Sequence, residues 1–106
     1  MKAKIFGTLV FVMLSMQAFA NNEQQEKDVY CKEVYNTSMI IMNMRQNGTP
    51  MPQMIEWADG GTLALWMVET AFETPLYASK AFKENAVAEY SEMVYKACRK
   101  HFSGSN

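Results

Sequence analysis

Histidine appears once in the 106 residues, at His101, and cysteine twice, at Cys31 and Cys98. One imidazole and two thiols are too few for a tetrahedral zinc site, and the wide separation of the thiols rules out a CxxC redox pair. A GxSxG elbow, a glycine-rich phosphate loop and a zinc-ligand spacing are also missing. No segment alternates apolar and polar residues as a half-buried strand would, and there is no internal repeat. The longest apolar run covers about a dozen residues, well short of the roughly 20 that a membrane span requires. Basic residues are not in excess, so neither nucleic acid nor an anionic membrane surface is an expected partner.

What is present begins with an export signal. Lys2 and Lys4 precede the nearly unbroken apolar stretch from Ile5 to Met16, and Ala18-Phe19-Ala20 places small residues at the positions a signal peptidase reads. Residues 1–20 are therefore expected to be a cleavable signal peptide, cut after Ala20, with no Cys following to carry a lipid anchor. An uncleaved anchor helix would tether the same domain. Removing 20 of 106 residues leaves 86, expected to be one helical domain (21–106) in the periplasm or secreted. That part holds eight Lys and Arg against eleven Asp and Glu, a net charge of −3.

A chain of this size buries only about 60 to 65% of its unfolded surface, so its core is marginal and needs support. In an oxidising compartment Cys31 and Cys98 supply it as a disulfide. The bond closes a loop of 67 positions, worth about 4 kcal/mol in the chain-entropy model.

Helical spacing dominates the rest. Tyr30, Val34, Ile41 and Met44 form one row, flanked by Cys31, Tyr35 and Met42, within a first helix over 23–46. Asn47-Gly48 suits a left-handed cap, and Thr49-Pro50-Met51-Pro52 interrupts the helix before a short second one from Pro52 to about Ala58. Two consecutive glycines, Gly60 and Gly61, cost roughly 2 kcal/mol inside a helix, so the chain is expected to break there. Thr62 is then read as the cap of a third helix over 63–73, whose Leu63-Ala64-Leu65-Trp66-Met67-Val68 run suggests a helix enclosed by others. Thr74-Pro75 ends it. Ser79 caps a fourth helix to about Phe102 with an inward stripe of Phe82, Ala86, Tyr90, Met93, Val94, Ala97 and Cys98.

The cysteines decide how these helices connect. Were 52–73 one helix, the long helices would run parallel and the cysteines would be offset by about 12 residues, roughly 18 Å, whereas bridged Cα atoms lie within about 7 Å. The glycine break adds a reversal and makes the long helices antiparallel. The expected fold is all-α: a small four-helix domain with two long antiparallel helices, two short ones and one disulfide.

Other residues that bear chemistry have simpler readings. Met39, Met42, Met44, Met51 and Met54 could surround Cu(I), which gives a copper or small-ligand carrier as an alternative function, but methionine also fills gaps between short helices. Glu69 with Glu73, and Glu89 with Glu92, are acid pairs at helical spacing; without a partnering base they read as solvated faces. His101 sits among Arg99 and Lys100 in the last turn, where positive charge suits the helix dipole. The Asn36-Thr37-Ser38 triplet lies inside a helix and is discounted as a glycosylation site. No enzyme and no cofactor is expected.

The distinctive surface is expected at the turns: Arg45, Gln46, Thr49, Pro50, Met51 and Pro52 on one side, Pro75 and Tyr77 on the other, with Trp57 and Asp59 nearby. Prolines beside Tyr, Arg, Met and Trp form a preorganised contact surface. Through Arg45-Gln46-x-Gly48 and Phe72-x-x-Pro75-x-Tyr77, with a Cys near each end, the chain resembles small exported, periplasmic helical proteins of proteobacteria and their phages. That resemblance implies a periplasmic setting and brings no activity. The expected function is non-enzymatic binding of another periplasmic protein, as an inhibitor or immunity protein against a toxic or wall-degrading enzyme, or as a phage accessory protein. A holdase chaperone is a further alternative. No stable membrane insertion is expected after cleavage, and a homodimer is compatible with the pattern.

Overall fold

The computed structural model describes the backbone of residues 2–102 and the side chains of residues 23–102. The expected signal peptide and its cleavage site lie outside the described side chains. Four helices follow one another: α1 (Lys2–Gln46), α2 (Met51–Ala58), α3 (Thr62–Ala71) and α4 (Lys80–Phe102), with no strand among the described residues. The chain divides into two units, Met1–Tyr30 and Cys31–Asn106. In the first, Gln24 Nε2 donates to Asp28 Oδ1 at 3.3 Å along an exposed helix surface.

From Cys31 onward α1 packs antiparallel against α4, as the cysteine argument requires. Cys31 and Cys98 are bonded, with Cα atoms 5.7 Å apart. One turn along, the rings of Tyr35 and Tyr95 meet edge to face at 5.6 Å. At the far end Lys83 Nζ donates to the carbonyl of Gln46, the last residue of α1. As the number rises on α1 from 31 to 35 to 46, its partner on α4 falls from 98 to 95 to 83. This register carries Ser38 opposite Ser91. Both are fully buried, and each hydroxyl donates to its own helix, Ser38 to the Tyr35 carbonyl (2.6 Å) and Ser91 to that of Ala88 (3.1 Å). A small side chain whose polar group is satisfied locally lets two helices approach without burying an orphan donor.

The ends of the helices follow the turn chemistry with adjustments: α1 begins at Lys2 rather than at 23, α3 stops at Ala71 rather than 73, and the starts of α2 and α3 shift. Gly48, at φ +85°, closes α1: its amide reaches the Arg45 carbonyl and the Thr49 amide reaches that of Met44, the paired pattern of a Schellman cap. Pro50 in extended geometry caps α2, which begins at Met51, one residue before the expected start. Asp59 and Gly60 then take φ of +50° and +75°, so the reversal is made by Asp-Gly rather than by the two glycines. Gly61, already extended, is the cap of α3, and Thr62 is its first helical residue. Ser79 caps α4 as expected, its Oγ accepting the Phe82 amide at 3.2 Å. No helix among the described residues is long and apolar enough to cross a membrane. The disulfide belongs to an oxidising, extracytoplasmic environment.

The core joins Val34, Ile41 and Met42 of α1, Met54 and Ala58 of α2, Met67, Val68 and Ala71 of α3, and Ala86, Tyr90 and Val94 of α4. Several expected core positions lie outside it. Phe82 is 61% exposed and Met93 45%, because the inward face of α4 is rotated toward Ser91; Ala97, near the end of the helix, is also at the surface. Tyr30 is exposed at 45%. α3 is not enclosed by the other helices: Leu63 and Trp66, one turn apart, face solvent.

Candidate functional site

The two turns predicted to share an end of the molecule are bonded to one another. Gln46, only 2% exposed, holds both sides of the junction with one carboxamide. Its Nε2 donates to the Pro75 carbonyl at 2.9 Å, and its Oε1 accepts the Tyr77 amide at 3.0 Å. Residues 75–77 belong to no helix, so their backbone has no ladder of its own. The carboxamide, with one donor and one acceptor side by side, pairs with them as a peptide unit would. Arg45 completes the lock: its Nε donates to the Thr74 carbonyl at 3.1 Å and its guanidinium lies 4.4 Å from the centre of the Phe72 ring. The Arg-Gln-x-Gly and Phe-x-x-Pro-x-Tyr motifs are thus two halves of one structural element.

This sorts the expected surface residues. Arg45, Gln46, Pro75 and Tyr77 are brought together, with Gln46 beneath the surface rather than on it. Pro50 and Pro52 are exposed, whereas Thr49 and Met51 are half-buried, Met51 against the core. Trp57 and Asp59 lie at the opposite end of α2 from the junction, about 10 Å along the helix. Asp59 serves there as the left-handed cap. Of the methionines considered for copper, Met42 and Met54 are fully buried in the apolar core, and the Met42 sulfur faces the Gln46 amide nitrogen at 3.7 Å. The acid pairs and His101 are exposed.

Beside the junction lies an open groove of about 380 Å³ that the sequence reading did not find. Thr74 and Tyr77 form one wall and the Phe82, Glu89 and Met93 side of α4 the other. Tyr90 lies along it, 5% exposed, its Oη donating to the Met67 carbonyl at 2.6 Å and lying 2.7 Å from Thr70 Oγ1. Burial pushes the Tyr90 hydroxyl pKa up; the bond to Thr70 opposes this and the nearby charge of Glu73 adds to it. Tyr77 and Phe82 meet at 5.8 Å, so the exposed Phe82 ring stands against one held by the lock. Asn85 Nδ2 donates to Glu89 Oε1 at 3.1 Å on the rim. The signal available in the sequence was the angular position of Phe82 and Met93, both displaced to the same side of the Ala86-Tyr90-Val94 row; a broad stripe absorbed them.

No protein-family model, curated protein or solved structure matches the chain.

Proposed function

We propose that the chain is a non-enzymatic periplasmic protein-binding factor, released by cleavage after Ala20. Its role would be that of an inhibitor or immunity protein against a toxic or wall-degrading enzyme, or of a phage accessory protein. The observation that carries this reading is the exposure of Leu76, Phe82 and Met93, at 51%, 61% and 45%, beside a turn whose backbone is locked in place. Large apolar side chains left in water on a rigid frame lose little conformational freedom on docking, which is what a binding hot spot requires.

The test is cross-linking of the exported full chain in the periplasm, comparing wild type with a Leu76→Ser, Phe82→Ser chain and with Ile40→Ser, another exposed apolar position on α1. One discrete partner captured by wild type and Ile40→Ser, and lost with the double variant, is the expected result. Equal capture by all three chains, or none, contradicts it. Arg45 and Gln46 are unsuitable probes because removing them breaks the junction itself. Sequencing the exported protein from its N-terminus checks cleavage, which should leave Asn21 first.

A further inference from the structure

The groove beside the junction has a charge pattern as well as a shape. No Lys or Arg occurs between Arg45 and Lys80, whereas Glu56, Asp59, Glu69 and Glu73 all do. The basic groups nearest the groove in sequence are Lys80, Lys83 and Lys96. Lys83 is engaged on the Gln46 carbonyl and Lys80 with Glu84 at 3.8 Å, while Lys96, exposed one turn past Met93, does not line the groove. Arg45, across the junction, is engaged on Phe72 and the Thr74 carbonyl. Acid remains on the rim. Glu89 lines the groove, exposed Glu73 directly precedes the lining Thr74, and neither forms a salt bridge among the described residues. Beside Glu89 the lining presents Tyr77, Phe82 and Met93, with no Lys or Arg among the lining residues.

An apolar strip with carboxylates at its edge complements one kind of chain best. We infer that the groove is the docking site for an apolar peptide segment flanked by lysine or arginine, presented by a basic protein. The apolar residues of that segment stack on Phe82 and Met93, while its cations meet Glu73 and Glu89. Like-charged flanks would be repelled, so the acidic rim supplies selectivity as well as attraction. The groove volume, about 380 Å³, suits two or three side chains rather than a folded domain.

The inference rests on the protein-binding reading above but fails separately from it. A random peptide library is panned against the full chain and against a Phe82→Ser, Met93→Ser chain, whose melting curve confirms that it folds; both positions are exposed, so it should. The expected result is enrichment of apolar sequences flanked by Lys or Arg. These should bind the double variant at least about ten-fold more weakly and lose affinity as salt rises. Enrichment of acidic or uncharged flanks, equal binding to both chains, or no enrichment would overturn the inference. So would sedimentation of the wild type as a dimer that Phe82→Ser dissociates, which would put a second copy of this chain in the groove. A periplasmic partner still cross-linked to the Phe82→Ser, Met93→Ser chain would keep the protein-binding reading and remove the groove. Groove-dependent basic peptides without any cross-linked partner would do the reverse.

Discussion

The junction and the groove share Tyr77 and are built from similar residue types, yet one is closed and the other open. At the junction polar groups from three segments pair with one another: Gln46 with Pro75 and Tyr77, Arg45 with Thr74, and Lys83 with the end of α1. In the groove the hydrogen-bonded Tyr90 lies below, while Phe82 and Met93 face water. The contrast separates residues that hold the fold from residues available to a partner. An Arg, a Gln and a Tyr beside prolines resemble a binding epitope in sequence, but here the first two are mostly scaffold.

The comparison breaks most severely if the frame beneath both regions is removed. Reducing the Cys31–Cys98 bond, or replacing both cysteines with Ser, should cost about 4 kcal/mol, because a loop of 67 positions is released in the unfolded chain. For a domain this size that lowers the melting temperature by roughly 15 to 30 °C, read by circular dichroism with and without reductant. A drop of only a few degrees would mean that helix packing alone holds α1 against α4.

Next in size is the lock. Gln46→Ala strands the Tyr77 amide and the Pro75 carbonyl and should cost about 2 to 4 kcal/mol in denaturant unfolding. The groove variant Phe82→Ser should change stability by less than about 0.5 kcal/mol, since its side chain is exposed. Equal losses would erase the distinction between the regions. Ser38→Leu, which forces bulk between α1 and α4, should cost about 1 to 3 kcal/mol, whereas Ser38→Ala should cost much less.

The smallest effect sharpens the boundary between groove and core. Tyr90→Phe removes the bond to the Met67 carbonyl and should cost about 1 kcal/mol at neutral pH. The folded protein holds the Tyr90 proton more tightly than the unfolded chain, whose tyrosine titrates near 10.0. The Tyr90 contribution is therefore fully present below that pH and is lost as pH rises through the raised folded value. Stability profiles of wild type and Tyr90→Phe should run parallel to about pH 10 and then converge. Profiles that stay parallel throughout would mean that Tyr90 is not shielded from water.

Much of the fold was legible from a few residues. Two cysteines and a helix break between the short helices sufficed for the antiparallel arrangement, because Cα atoms of a bridge must lie close together and a parallel pair could not meet that condition. The caps at Gly48 and Ser79 followed from local chemistry. What stayed hidden was rotation about the helix axes. Ser38 and Ser91 count as polar in any hydropathy pattern, yet they line the α1–α4 contact, and that turns Phe82 and Met93 outward. α3 reads as enclosed because Leu63 and Trp66 are apolar, although both face water. At the site the sequence showed that the two turns meet. It did not show that Gln46 would be spent inside the fold, since a carboxamide pairing with an irregular backbone leaves no periodic trace.

Native-state hydrogen exchange at the Tyr77 amide tests the locked junction most directly. That amide lies outside any helix, and only its bond to buried Gln46 can shield it. It should exchange as slowly as the core amides of α1 and α4, and Gln46→Ala should release it. Exchange at the rate of an open loop in the wild-type protein would show that the turns are not locked and that the rigid edge of the groove does not exist.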